Sequence, residues 1–339
     1  MSTTAFAFGL GLGTHNSEGE WLEVFFAEPV LNPPAALVKA AGSCDNRTPL
    51  NREQLLALEA ELAAVDETRQ AQLAAQLAGS DAPVVAVLLA EDAAPTTVPE
   101  AYLKLHLLSH RLVKPHGTNL QGLFGILPNV AWTSEGAIDI GELPARQLAA
   151  RLRGETLEVS CVDKFPKMTN YVVPGGVRIA HTARVRLGAY LGAGTTIMHE
   201  GFVNFNAGTD GPGMIEGRIS AGVTVGSGSD LGGGCSAMGT LSGGGNIIIS
   251  VGKECLIGAN AGIGIPLGDR CTVEAGLFVT AGTKVVLLDS EGLPVETVKA
   301  RELAGKSELL FRRNSTNGSV ECLTNRSAIE LNAELHAHN

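Results

Sequence analysis

The chain has 339 residues, enough for two or three structural units, and its composition is rich in glycine, with 42 residues, and poor in aromatic residues, at 4%. Its formal net charge of -10 argues against nonspecific binding to nucleic acid or to an anionic membrane surface. The six cysteines form no C-x-x-C pair, and neither a secretory leader nor a membrane-length apolar run is present, so we expect a soluble, cytoplasmic protein.

The first half of the chain predicts a compact α+β domain over residues 1–165. Residues 5–13 and 21–26 alternate apolar with small or polar residues around a turn-rich segment, which predicts a hairpin. Ala, Leu, Glu and Gln dominate residues 52–77, which predicts one or two helices. The remaining predicted elements are a strand at 82–89, helices at 100–112 and 144–153, and a strand at 157–162.

From Ile179 onward the sequence repeats every six residues, and the marker positions of this repeat are mostly apolar. The markers are Ile179, Val185, Leu191, Ile197, Val203 and Thr209, then Ile219, Val225, Leu231 and Ala237, then Val251, Ile257, Ile263, Asp269, Ala275 and Ala281. A small or apolar residue, such as Cys235 or Cys255, follows four residues after a marker, and we expect both thiols to be buried. Since six is neither the helical period of 3.6 nor the strand period of two, the repeat predicts a parallel β-helix over residues 170–288.

Two breaks in the repeat are candidate sites for chemistry. Ten residues separate Thr209 from Ile219 where six are due, so four extra residues are predicted to form a loop that carries Glu216. Such a carboxylate can act as a general base or as a nucleophile, or it can be a solvated acid paired with Arg218. The second break contains the glycine run of residues 241–246, whose backbone a ligand can approach closely.

Polar residues near the start of the repeat have several possible roles. His199 and Glu200 are sequence neighbours, and on a strand their side chains would point to opposite faces and serve different functions. Glu200 is either a carboxylate on a metal or subunit axis or an ordinary exposed acid. Asn204 and Asn206 share one predicted strand, where same-face amides would form a ladder across coils.

The end of the chain predicts a C-terminal extension over residues 289–339. Strands are predicted at 283–288 and 297–301, a hairpin turn at Asn317-Gly318 leads into a strand at 320–323, and a helix is predicted at 327–336. A basic cluster lies here: Lys284, Lys299, Arg301, Arg312 and Arg313. It is either a seat for phosphate oxygens or the solvated face of a strand.

Several longer motifs resemble those of the tetrahydrodipicolinate N-succinyltransferases, in the branch with a large N-terminal domain. The resemblance extends from about residue 105 to the C-terminus and is looser over the first hundred residues. The motifs are DKFP at 163–166, MHEGFVNFNAG at 198–208, EGRIS at 216–220, MGTLSGGG at 238–245 and FRRNS at 311–315.

That resemblance implies a left-handed parallel β-helix, a homotrimer with active sites between subunits, and succinyl transfer from succinyl-CoA to tetrahydrodipicolinate. It implies that Glu216 is the acyl-carrying glutamate and that Glu200 meets its two copies on the trimer axis, where a cation such as magnesium would join them. Ala183 stands where another branch has a second acid, so no second axial metal is expected. The implied succinyl-CoA contacts are Arg218, Gly233, Ser236, Ala259, Glu274, Ala275, Gly282, Lys299, Arg312, Arg313, Asn314 and Ser315.

Three other functions compete with this interpretation. A related acyltransferase would use another donor, such as acetyl-CoA, or another amine acceptor. A zinc hydratase on the same fold needs three histidine ligands, and the repeat offers only His181 and His199. A structural trimer would bind no CoA at all.

Overall fold

The computed structural model describes residues 4–42, 45–239 and 247–324. The chain divides into two compact units, Met1–Leu107 with Gly117–Pro166, and Leu108–His116 with Lys167–Asn339. Within the described residues, no helix is long and apolar enough to cross a membrane.

The first unit contains two antiparallel sheets. In the larger one, β1 (Ala7–His15) pairs with β2 (Trp21–Phe26), β3 (Val30–Leu31) and β4 (Val84–Leu89), which confirms the predicted hairpin. The smaller sheet has the order β6-β5-β7, with β5 at Val130–Thr133, β6 at Gly136–Asp139 and β7 at Val159–Asp163. The described helices are α1 (Ala35–Ala41), α2 (Arg52–Ala64), α3 (Thr68–Leu77), α4 (Val98–Ser109), α5 (Leu123–Ile126) and α6 (Leu143–Leu152).

The apolar spacing of α2 and α3 explains how the larger sheet is covered. Leu55, Leu58 and Leu62 recur at helical spacing along α2 and pack with Phe8 and Leu10 of β1. Asn51 caps α2 by accepting the Gln54 N–H, while the Gln54 side chain accepts the Asn51 N–H, so the helix starts at a satisfied end.

The second unit is a left-handed parallel β-helix whose short strands stack into three sheets. Sheet A begins with the order β8-β10-β13-β16-β19-β21, sheet B is β11-β14-β17-β20-β22, and sheet C is β9-β12-β15-β18. The strands are β8 (Arg178–Ile179), β9 (Ala189–Leu191), β10 (Thr195–Ile197), β11 (Phe202–Val203), β12 (Ala207–Thr209), β13 (Gly213–Ile215), β14 (Arg218–Ile219), β15 (Thr224–Val225), β16 (Asp230–Leu231), β17 (Ser236–Ala237), β18 (Ser250–Val251), β19 (Leu256–Ile257), β20 (Gly262–Gly264), β21 (Thr272–Val273) and β22 (Phe278–Thr280).

The predicted markers up to Ile263 line the interior, but the predicted phase beyond Ile263 is wrong. The inward residues of the last coil are Val273, Val279 and Val285, all fully buried, and not Asp269, Ala275 and Ala281. The shift arises because the next inward residue is Leu267, only four positions after Ile263, so this coil is two residues shorter than a regular one. Ile265 is also buried, and this additional apolar residue obscures the shift in the sequence.

The segment Leu108–His116 lies along sheet C. Ser109 Oγ donates to the carbonyl of Ala189, Arg111 Nε donates to that of Leu191 at 2.5 Å, and Lys114 pairs with Asp210 at 2.6 Å. This segment therefore covers strands of sheet C.

Asn204 and Asn206 do not form the predicted amide ladder. Both lie in the turn after β11, where Asn206 has a φ of +51°. The Asn204 Oδ1 accepts from the Phe205 N–H and from Arg186, and the Asn206 Oδ1 accepts from the His116 N–H. Because β11 ends at Val203, neither asparagine lies on a strand. Their amides instead hydrogen-bond within the turn and to the segment Leu108–His116.

Four longer strands follow the coils and extend sheet A in the order β21-β25-β26-β23-β24. They are β23 (Lys284–Leu288), β24 (Pro294–Lys299), β25 (Leu309–Arg313) and β26 (Val320–Thr324). The predicted hairpin through Asn317 and Gly318 is confirmed as the antiparallel pair β25 and β26. The predicted helix at 327–336 lies outside the described residues.

Candidate active site

Most of the predicted site residues gather along one edge of the β-helix, the turns that lead from sheet A to sheet B. We call this edge the A-to-B corner and define it by residues 198–201, 216–217, 232–235, 258–261 and 274–277. Parallel stacking places the turns of successive coils above one another, at about 4.8 Å per coil. The predicted residues at this corner, or within two residues of it, are Glu200, Glu216, Arg218, Gly233, Ser236, Ala259, Glu274 and Ala275.

Glu216 lies on a shortened turn of this corner, so the predicted four-residue loop is wrong. The inward residues are Thr209, Ile215 and Ile219, which means that a regular spacing of six precedes a spacing of four. Residues 213–215 form β13 in register with β10, and only Glu216 and Gly217 connect β13 to β14. This turn is two residues shorter than the other turns of the corner, whereas the sequence predicts a loop that is four residues longer.

Gly217 allows this turn to lie close to the next coil. A Cβ at Gly217 would lie 2.3 Å from the Cys235 Sγ and 2.7 Å from the Cys235 carbonyl oxygen, so no larger residue fits without displacement. The Cys235 side chain is buried as expected, and desolvation raises the pKa of its thiol to about 12. The neutral thiol therefore packs as a small apolar group beneath the glutamate.

The Glu216 carboxylate is half-buried and lies over the next glycine turn. Its Oε2 is 3.5 Å from the position that a Cβ would take on Gly233. Within the described parts of the chain, its side chain forms neither a hydrogen bond nor an ion pair, and this includes the pairing with Arg218 that the sequence left open. Arg218 is exposed on the outer face of β14, in register with Ser236 of β17. The position of Glu216 is thus set by the short turn between β13 and β14, and its carboxylate is available to a ligand.

Arg312 and Arg313 end β25, Asn314 follows it, and two glutamates accept hydrogen bonds from these three residues. The Glu321 carboxylate accepts from Arg312 Nε at 2.9 Å and from Asn314 Nδ2 at 2.7 Å. The hydrogen bond from Asn314 and the ion pair with Arg312 lower the pKa of Glu321 below its ordinary value, although burial opposes them. Glu274 at the A-to-B corner accepts the Arg313 N–H at 2.6 Å, which connects this hairpin to the corner.

Gly282 and Lys299 lie away from the A-to-B corner, beyond the other edge of sheet B. Ala300 N–H donates to the Thr283 carbonyl, and the Arg301 N–H donates to that of Ala281, so the residues around Lys299 flank the turn that contains Gly282. The predicted contacts therefore form two groups that are separated by the outer face of sheet B. The glycine run at 241–246 lies outside the described residues.

His199 and Glu200 contact each other, contrary to the expectation that they face opposite ways. They lie in a turn and not on a strand, and His199 Nδ1 is 2.6 Å from Glu200 Oε1. The hydrogen bond with His199 lowers the pKa of Glu200, and Arg184, 3.7 Å away, acts in the same direction. The His181 and His199 rings are 5.1 Å apart.

One chain does not by itself offer a fitting magnesium site at Glu200. Its carboxylate is exposed and already paired, and no cluster of three metal-ligating side chains occurs among residues 4–42, 45–239 and 247–324. Magnesium takes six oxygen ligands, so a site here would need further carboxylates or water.

Two residues near the site are not predicted from the sequence. Glu321 binds the side chains of Arg312 and Asn314. The predicted hairpin places Glu321 on the strand opposite Arg312, and this opposite charge could have identified it. Phe278 is an aromatic residue on the outer face of β22, with half of its surface exposed. The incorrect repeat phase hid its outward position.

Comparisons with known proteins agree on one family. The sequence model described as "Tetrahydrodipicolinate N-succinyltransferase middle" matches residues 127–167, and that described as "Hexapeptide repeat of succinyl-transferase" matches residues 248–281. A protein of Pseudomonas putida named 2,3,4,5-tetrahydropyridine-2,6-dicarboxylate N-succinyltransferase is 67% identical, with 100% of both chains covered. A protein of that name from Vibrio cholerae is 59% identical over 98% of this chain and 99% of its own.

A solved structure gives the same result. A Campylobacter jejuni protein described as a 2,3,4,5-tetrahydropyridine-2-carboxylate N-succinyltransferase superposes with a TM-score of 0.86 at 34% identity. The superposition covers 96% of this chain and 93% of the other.

Proposed function

The chain belongs to the tetrahydrodipicolinate N-succinyltransferases, and from this premise we propose that its A-to-B corner transfers succinyl from succinyl-CoA to tetrahydrodipicolinate. The acceptor takes up one water molecule as its ring opens, and the products are N-succinyl-2-amino-6-oxopimelate and CoA. The observation that carries the assignment to this corner is the half-buried Glu216 carboxylate, which lies unpaired beside glycine turns that leave room for a ligand.

Glu216 can act as a nucleophile in this reaction. Its carboxylate oxygen attacks the thioester carbonyl, the C–O bond of a mixed anhydride forms, and the C–S bond breaks to release the CoA thiolate. The acceptor amine then attacks the anhydride carbonyl, the amide C–N bond forms, and the carboxylate leaves. The proton lost by the amine neutralises the thiolate.

Glu216 can instead act as a general base in a direct transfer. The amine attacks the thioester carbonyl, Glu216 accepts the amine proton, and the thiolate leaves and takes up that proton. Both routes require the thioester and the amine to be held together beside one carboxylate. Holding the reactants in this orientation lowers the entropic part of the barrier.

The remaining residues of the site bind and orient the donor in this proposal. Arg312, Arg313 and Lys299 provide positive charge for the CoA phosphates, and Glu321 fixes the Arg312 guanidinium in one orientation. Gly233 and Ala259 expose backbone along the corner, where a side chain would obstruct the pantetheine arm. Arg218, Ser236, Glu274, Ala275, Gly282, Asn314 and Ser315 complete the proposed contacts.

We further propose a homotrimer in which each groove is closed by a neighbouring chain. Three copies of Glu200 would then meet on the axis, and a magnesium ion would offset the repulsion between their carboxylates. Because acyl-CoA thioesters are cytoplasmic metabolites, the proposed reaction takes place in the cytoplasm.

The test of this function is an assay of CoA release by the purified protein. Succinyl-CoA with tetrahydrodipicolinate should release CoA at a rate that depends on both substrates, and omission of the acceptor should reduce it to background. Turnover of acetyl-CoA at a similar rate would contradict the assignment of the donor. Absence of CoA binding by calorimetry would exclude an acyltransferase and leave a structural role.

The two routes can be separated with labelled donor. If Glu216 carries the acyl group, incubation with radiolabelled succinyl-CoA and no acceptor should leave label on the protein after rapid acid quenching. Label that is absent from the wild type but accompanied by normal turnover would favour the direct route.

A further inference from the structure

Phe278 lies between the two groups of proposed donor contacts. One group lies at the A-to-B corner and the other around Gly282 and Lys299, beyond the opposite edge of sheet B. A single extended molecule that touches both groups must cross the outer face of this sheet. The outward residues of that face are Phe202, Arg218, Ser236, Gly262 and Phe278, in the order of the stacked strands.

The Phe278 ring lies flat against the neighbouring coil and is not extended into solvent. An ideal Cβ on Gly262 would lie 2.4 Å from both Cδ1 and Cε1 of Phe278, so the ring occupies the space directly above that glycine. Even so, 50% of the Phe278 surface is exposed. Val279 and Ile263, the neighbours of these two residues, are fully buried, which fixes Phe278 and Gly262 on the outer face. The result is an apolar platform on the sheet.

The position of the platform identifies the part of a donor that would contact it. Arg218 and Phe278 are separated by three coils, about 14 Å at 4.8 Å per coil. In the proposed function the thioester lies near Glu216 at the A-to-B corner, and the phosphates extend to Lys299, beyond the opposite edge of sheet B. What lies between the thioester and the phosphates of CoA is the pantetheine arm, whose pantoyl end carries two geminal methyl groups.

We propose that Phe278, held down by Gly262, binds the pantoyl part of the pantetheine arm and so positions the thioester beside Glu216. This inference rests on the proposed function, since it concerns the same donor. Contact of the ring with the methyl groups removes apolar surface of both from water. Gly262 is needed because any side chain there would lift the ring off the sheet.

The test measures binding of two ligands by calorimetry: CoA, and adenosine 3′,5′-bisphosphate, which shares one end of CoA but lacks the arm. Phe278→Ala should weaken CoA binding about tenfold, because the apolar contact is lost, and leave the bisphosphate affinity unchanged. Phe278→Leu should fall in between. Val173→Ala, which truncates another exposed apolar side chain of the same unit, serves as the matched control.

Gly262→Ala tests the platform by adding a methyl group that would displace the Phe278 ring. It should weaken CoA binding to a similar degree, and the double variant Gly262→Ala/Phe278→Ala should be no worse than Phe278→Ala alone. Steady-state kinetics should show a raised KM for succinyl-CoA and an unchanged KM for the acceptor. Circular dichroism checks that each variant is folded, and if Phe278→Ala does not fold, Phe278→Leu carries the test.

The possible results distinguish this inference from the proposed function. If the wild type binds no CoA, both are wrong. If the wild type binds and uses succinyl-CoA while Phe278→Ala and Phe278→Leu bind CoA as tightly, only the platform is wrong. An equal loss of affinity for CoA and for the bisphosphate would also overturn it, because the arm would then not be what Phe278 contacts.

Discussion

Gly217 determines how closely the turn that carries Glu216 approaches the next coil. The turn has two residues where the equivalent turns of the coils have four, and the Cys235 side chain occupies the space where a Cβ of residue 217 would lie. A buried thiol with a raised pKa is uncharged at neutral pH and adds no charge beneath the carboxylate. The position of Glu216 therefore depends on the absence of a single methyl group.

Replacement of that glycine should displace the carboxylate. We expect Gly217→Ala to lower kcat/KM for succinyl-CoA at least about tenfold and to destabilise the fold by about 1–3 kcal/mol, as overpacking of a filled site does. Steady-state kinetics and thermal unfolding measure the two effects. Gly175→Ala is the matched control, because nothing lies within 4 Å of a Cβ there. Equal behaviour of the two variants would show that the turn is not tightly constrained.

At single residues, the sequence predicts local geometry poorly where the repeat is irregular. The repeat predicts that Glu216 lies at an irregularity, which the structure confirms, but it predicts an insertion there. The spacing of four between Ile215 and Ile219 is a deletion, which the gap from Thr209 to Ile219 conceals. His199 and Glu200 were assigned to a strand, although they occupy a turn that brings their side chains together.

The hairpin of β25 and β26 is the element that presents the cationic end of the site. Its Arg312 and Asn314 side chains share the Glu321 carboxylate, and its Arg313 N–H is bound by Glu274. Glu321 is directly opposite Arg312 in the strand register, so pairing of the two strands alone brings their side chains together. The proposed donor contacts Arg312 and Asn314 are thus held in place by contacts within the hairpin.

Removal of the Glu321 charge should weaken donor binding without affecting the acceptor. We expect Glu321→Gln to raise KM for succinyl-CoA about three- to tenfold, because Arg312 loses the partner that orients it. The KM for tetrahydrodipicolinate should not change. Glu296→Gln on exposed β24 makes the same change of net charge and is the control. A rise in both KM values would contradict a role confined to the donor.

The lowered pKa of Glu321 predicts how the stability of the hairpin depends on pH. A carboxyl whose pKa is lower in the folded state stabilises that state above its unfolded pKa, about 4.3 for glutamate, and this stabilisation is lost as pH falls through the folded value. The difference in Tm between the wild type and Glu321→Gln should therefore be constant from about pH 5 to 8 and decrease below about pH 4. A difference that grows on acidification would be inconsistent with this sign.

Among the elements, those with a clear period were predicted and those that interrupt it were not. The coils up to Ile263 follow the hexapeptide markers because every inward residue must fit a narrow interior. The spacing from Ile263 to the inward residue Leu267 is four instead of six, and the buried Ile265 between them obscures this deletion in the sequence. The phase error at Val273 and Val279, and with it the oversight of Phe278, has this one cause.

For the whole molecule, the proposed trimer makes the oligomeric state measurable. Light scattering coupled to size exclusion should give about three times the chain mass of 35.1 kDa, and this mass should not change across micromolar concentrations. A mass equal to one chain would leave the grooves without a second wall and would contradict the proposal.

The axial metal follows from the trimer and can be tested on its own. Elemental analysis of protein dialysed against magnesium should find about one ion for three chains, because three carboxylates share one site. Glu200→Ala should remove the ion, whereas Glu291→Ala, a change at another exposed acid, should retain it. Magnesium content that is unaffected by Glu200→Ala would show that this carboxylate is not a ligand.

If Glu216 carries out the transfer, turnover needs its carboxylate whereas CoA binding does not. The kcat of Glu216→Gln, measured together with its affinity for CoA, tests this role. The substitution keeps the size of the side chain and removes its charge and basicity. We predict a fall in kcat of at least about a thousandfold, with a CoA dissociation constant within about twofold of the wild type. A variant that binds CoA normally and retains more than about a tenth of the wild-type kcat would show that Glu216 does not carry out the transfer.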